Sequence, residues 1–196
     1  MKAVTEQGLA SRLGLERLDR LFFNISLAFF LAGILFGAIL YPFCRENVEN
    51  VMKAAYQGIM VEGDSLQSIL NVFTRNLAAT FIIMASGVLL GACFLIIAGN
   101  GLLVGLIASH VVEEGTHPLR VTLALLPHGV FEIPALLFAS TLGARVGYSI
   151  INPGRETRFR AVISQARRSL KYYFTVIVPL LALAAVIEIL VSAKMV

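Results

Sequence analysis

Apolar runs of very unequal length, separated by short charged stretches, set the pattern of this chain. Residues 21–40 and 77–98 contain no charged side chain, and each matches the ~20 residues with which a helix crosses a bilayer. The run 102–112 covers only about half of the ~30 Å hydrocarbon core, whereas 121–151 would measure about 46 Å as one straight helix. A last run covers 172–191. Tyr41-Pro42 pairs an interfacial aromatic with a helix terminator and closes the first run, and Gly99-Asn100-Gly101 reads as a turn. Pro127 suits the first turn of a new helix, where its missing N–H costs nothing, so 129–151 becomes one crossing of about 34 Å. The pattern predicts an all-α polytopic membrane bundle, one integral domain over residues 1–196, with about five transmembrane helices. One of them is short, and one is broken near Pro127-His128-Gly129.

Between the runs the polar positions fall at helical spacing. Leu9, Leu13, Leu15, Leu18 and Leu21 predict an amphipathic lead-in over 1–20, and 44–76 carries apolar residues that suit one or two surface helices. The connection 152–171 is strongly basic, with Arg155, Arg158, Arg160, Arg167, Arg168 and Lys171 against Glu156. The positive-inside rule places it, and the N-terminus, in the cytoplasm. An even number of crossings must then precede it, so 102–112 must cross once, and 44–76 lies outside.

Composition agrees with this map. The 196 residues are 58% hydrophobic and 14% charged, with a mean hydropathy of +0.83, which excludes an ordinary soluble domain. The start of the chain lacks the apolar core and cleavage site of a signal peptide, so it is expected to remain on the mature protein. The net charge of +4 comes from basic residues beside apolar runs, where orientation and anionic lipid account for it, so the bilayer and not nucleic acid is the expected partner. Cys44 and Cys93 have no metal-type spacing and read as free thiols.

The candidate chemistry sits in the fourth run. His128 and Glu132 are four residues apart and share one helix face. An ionisable group in a membrane segment costs roughly 2.5 kcal/mol or more unless paired or facing a cavity. The two could relay a proton, hold an ion or dock a polar partner; equally they could form a latch that satisfies backbone groups at a helix break. His110, His117 and His128, with Glu113, Glu114 and Glu132 in or beside them, form a loose window that a metal such as zinc could use, but no tight ligand spacing occurs, and no metal or cofactor is expected. Arg145 and Glu188 read as side chains that snorkel to opposite headgroup layers. Asn76 and Asn100 read as caps at the two ends of 77–98. Gly33/Gly37, Gly87/Gly91, Gly101/Gly105 and Gly143/Gly147 have the spacing that brings helix backbones together, within one chain or in a homo-oligomer.

Arg75-Asn76, Gly87 and Gly91, Asn100-Gly101 with Gly105, and Pro127-His128-Gly129-x-Phe131-Glu132 together resemble the stage II sporulation protein M family over roughly residues 22–191. The resemblance implies a multi-pass membrane protein and, in endospore formers, a role in engulfment beside cell-wall hydrolases that it helps to localise. It carries over onto Asn100, Gly101, His128, Gly129 and Glu132. No nucleophile motif, phosphate loop or dinucleotide fingerprint occurs. The leading expectation is therefore a non-enzymatic scaffold that assembles membrane or cell-envelope proteins, with 44–76 as the docking surface. A transporter using a broken helix and a buried His-Glu pair is the alternative, followed by a metal-dependent membrane enzyme.

Overall fold

In the computed structural model, the backbone is described for residues 2–57, 65–154 and 156–195, and side chains for 17–50, 66–120, 129–154 and 156–187. The described residues are helical apart from short connections, with six α-helices: α1 (Lys2–Gln57), α2 (Ser65–Ser86), α3 (Ala92–Glu113), α4 (Pro118–Ile151), α5 (Arg158–Tyr172) and α6 (Val178–Met195). Five stretches are long and apolar enough to cross a membrane: Arg17–Asn50, Leu66–Leu89, Ala92–Glu113, Gly129–Ile151 and Arg158–Ile187. The all-α bundle with five spans is as the sequence predicts.

The boundaries between elements differ from those expected. α1 continues through Pro42, α3 passes unbroken through Gly99-Asn100-Gly101, and α4 runs through Pro127 and Gly129 as one helix of 34 residues. There is accordingly no short third span and no broken fourth one. Residues that break helices in water need not do so in a bilayer, where an interrupted ladder would leave backbone groups without water to bond. The chain instead reverses inside the run 77–98. A 3-10 turn over Gly87–Leu89 ends with Leu90 at φ 46° and Gly91 at φ 105°, left-handed conformations that glycine adopts freely and leucine rarely. The proline that opens α4 is Pro118, and the His117 ring caps that helix by accepting from the Leu119 N–H at 3.3 Å. Most of the basic connection 152–171 is likewise helix, α5, and not loop.

Glycines decide how the spans meet. A methyl group at Gly33 or Gly37 would overlap the carbonyl oxygens of Ala98 and Leu102, and one at Gly101 or Gly105 those of Phe30 and Ile34. The pairings advance together, so α1 and α3 run parallel with their backbones in contact. Gly87 meets Gly143, and Gly147 meets Gly87, which joins α2 to α4 in the same way. These seven glycines spend their close approaches inside one chain. α4 is the hub: 61% of its span is buried within the bundle, against 22–28% for the other four. Ile83, Cys93, Ile97, Ala135, Ala139, Ile177 and Leu181 fill the core around it, while Leu35, Phe36, Ile39, Leu95 and Phe174 face outward, as lipid contact requires.

α5 passes into α6 through a π-type turn, Tyr173–Ile177. The extra residue turns Tyr173 inward, where its hydroxyl donates to the Leu77 carbonyl at 2.7 Å and lies 3.0 Å from Thr80 Oγ1. Tyr173→Phe is expected to cost about 1 kcal/mol, the net worth of a buried hydrogen bond. Thermal unfolding in detergent measures it.

Candidate functional site

Side chains that link the helices fall at three levels of the bundle. At the middle level, Ser26 of α1 donates to Ser140 of α4 at 2.9 Å, and the Cys93 thiol of α3 lies beside the same Ser140. The small side chains let three helices converge on one hydroxyl.

One end of the bundle gathers the N-terminal part of α1, the α2–α3 turn and the α4–α5 junction, and carries most of the basic residues. Here Arg145 is 6% exposed and its Nε lies 3.3 Å from Asp19 Oδ1 on α1. Arg145 therefore points into the bundle, held by Asp19, and does not extend outward from α4. Its Nη1 is buried with no hydrogen-bond partner among the described residues. Beside it a cavity of about 550 Å³ opens between α1, α4 and α5, lined in part by Asp19, Arg20, Arg145, Gln165 and Arg168.

At the far end, Tyr41 and Arg45 of α1 meet the last turn of α3. The Tyr41 hydroxyl donates to Glu113 Oε2, and Arg45 reaches Glu113 Oε1 at 2.5 Å. Since that hydroxyl has one proton, Nδ1 of His110, 3.1 Å away, is the donor to its oxygen. His110 Nε2 lies 3.4 Å from Glu114, and the Arg45 guanidinium sits 5.8 Å from the centre of the Tyr41 ring. Tyr41, rather than ending a helix, pins α1 to α3. Among the described residues no three His, Cys, Asp or Glu side chains come together as a metal-ligating group. Two of the three histidines are engaged with protein groups, and the side chain of His128 lies outside the described residues.

A family profile described as stage II sporulation protein M matches residues 26–193. The chain belongs to that family. An uncharacterized protein of Methanocaldococcus jannaschii is 23% identical over 173 residues, which cover 87% of this chain and 93% of that protein. No solved structure matches.

The positions singled out from the sequence lie on α3 and α4. Asn100 is seven residues from Cys93, and Glu132 eight residues from Ser140, so both stand about two turns from the shared Ser140 contact, toward the far end. Asn100 is no cap: its side-chain amide donates to Ile96 O within α3 at 3.0 Å. Asn76 also lies inside a helix, its carbonyl accepting from Thr80 Oγ1 at 2.8 Å. Gly101 is the point where the α1 backbone touches α3, and Gly129 has Ile133 Cδ1 as its nearest neighbour. Glu132 is 8% exposed on the hub helix; Glu188, like His128, lies outside the described side chains. Sequence reasoning passed over Arg145 with Asp19. The available signal was a lone arginine inside the small-residue run Gly143-Ala144-Arg145-Val146-Gly147, a pattern that marks a face packed against neighbouring helices.

Proposed function

We propose that this stage II sporulation protein M family member is a non-enzymatic membrane scaffold that assembles or localises partner proteins, using the segment of α1 beyond Tyr41 as its docking surface. The observation that carries this reading is the length of α1. Its 56 residues measure about 84 Å, far more than the ~30 Å hydrocarbon core, so one uninterrupted rod extends past its span. The Tyr41–Arg45–His110–Glu113 cluster clamps that rod to α3 where it leaves the bundle. Arg45, Glu46, Asn47 and Glu49 are exposed just beyond the clamp, whereas Val48 is buried. A rod already held rigid loses little further freedom when a partner binds, which favours association.

Charge asymmetry supports an orientation. Arg17, Arg20 and the arginines of α5 lie at one end, and by the positive-inside rule we read that end and the N-terminus as cytoplasmic and the Glu46–Glu49 face as exterior, where cell-envelope partners are reached. The transport reading rested on a broken fourth helix beside a buried His-Glu pair and on a short third span; α4 and α3 are both continuous, and of the pair only Glu132 lies among the described side chains.

A photoreactive residue at position 47 is expected to cross-link one defined partner in intact cells. Glu46→Lys with Glu49→Lys should lose that product while leaving the protein inserted in the membrane. Undiminished capture by the double variant, or equal capture from the lipid-facing position Leu35, would overturn the docking assignment.

A further inference from the structure

We infer that the cavity at the basic end is a binding site for the phosphate headgroup of an anionic membrane lipid. It holds about 550 Å³ between α1, α4 and the start of the last span, room for a headgroup and the first part of an acyl chain. Its lining is divided. Arg145 and Arg168 supply positive charge against Asp19, the one carboxylate among the described lining residues, while Phe138, Val176 and Ile177 supply an apolar wall. A free anion needs only the first of these faces; an amphiphile uses both.

Two observations show that the cationic face is prepared for an anion. Arg145 is about nine-tenths buried, and Asp19 engages its Nε, while Nη1 has no hydrogen-bond partner among the described residues. A buried guanidinium donor left unbonded is costly, and a phosphate oxygen can satisfy it with a charge-assisted bond of the kind arginine forms well. Arg168 is held from the other side of the cavity, its guanidinium 5.9 Å from the centre of the Tyr172 ring, which limits the rotamer freedom it would lose on binding. Both arginines stand at the basic end of the bundle, where the amphipathic helix α5 enters it.

The test uses the full chain in neutral detergent, with thermal unfolding followed against added phosphatidylglycerol, phosphatidylcholine and inorganic phosphate. Phosphatidylglycerol is expected to stabilise the protein saturably, and phosphatidylcholine and inorganic phosphate to do so at least tenfold more weakly. Arg168→Gln, at an exposed position, should weaken the phosphatidylglycerol effect about tenfold, the loss of one charge-assisted contact. Arg145→Gln should do the same where it folds. Arg160→Gln, on α5 but outside the cavity lining, should leave it unchanged. Equal stabilisation by phosphatidylcholine, or an undiminished response in Arg168→Gln, would overturn the proposal. Inorganic phosphate matching phosphatidylglycerol would overturn the lipid assignment in favour of a soluble anion.

Discussion

Gly101→Ala and Gly87→Ala are each expected to destabilise the bundle by more than about 2 kcal/mol, although alanine is the better helix former. On propensity alone, glycine to alanine in a helix interior gains about 1 kcal/mol. At Gly101 the new methyl would meet the Phe30 carbonyl, and at Gly87 the Gly143 backbone. Neither neighbour is the tip of a flexible side chain, so α1 must move off α3, or α2 off α4, and the packing that holds membrane helices together is lost along the whole seam. Overpacking of a well-filled interior costs about 1–3 kcal/mol when side chains can adjust, and here the obstacle is backbone. Gly99→Ala is the internal control. Gly99 lies two residues from Gly101 on the same helix with nothing within 4 Å of its added carbon, so alanine there should be neutral or slightly stabilising. Thermal unfolding and the monodisperse fraction in detergent report all three, and a Gly101→Ala protein as stable as Gly99→Ala would refute the seam.

Asp19→Asn is expected to lower stability by about 1–3 kcal/mol, a large effect for a half-exposed side chain. The cause is Arg145, which stays buried after its counter-charge is gone. Removing one partner of a fully buried ion pair costs about 3–5 kcal/mol, and the 48% exposure of Asp19 admits solvent that reduces this. If the cost lies in the stranded guanidinium, Asp19→Asn combined with Arg145→Met should recover most of the loss, since a methionine fills the space without charge. A double-mutant cycle gives the coupling directly. Independent, additive effects would show that the two side chains do not act as a pair.

Both predictions concern features only partly visible in the sequence. The spacing of Gly33/Gly37 and Gly101/Gly105 was legible; that the first pair would face the second, with α1 parallel to α3, was not, because spacing marks a face and does not name its partner. Asn100-Gly101 looked like a turn by the rules for water-exposed chains, whereas its glycine lets two backbones touch in mid-membrane. Glu132 was legible as an ionisable group at a buried position, since apolar surroundings mark it from either side. Arg145 was misread, because a charged residue near a span end has two solutions, outward to headgroups or inward to a partner. The choice depended on Asp19, 126 residues earlier in the chain.

The sequence by itself determined the all-helical class, the number of stretches long and apolar enough to cross a membrane and the family, because hydropathy and length register directly how much chain a bilayer can hold. Only the tertiary structure decided where those helices begin and end, which of them is enclosed by the others, and which charge meets which. Pro42, Gly99 and Pro127 stay helical because, in a medium without water, the backbone is satisfied by continuing its own ladder, and the chain reverses at Leu90-Gly91, where a glycine takes up the left-handed conformation that the turn needs.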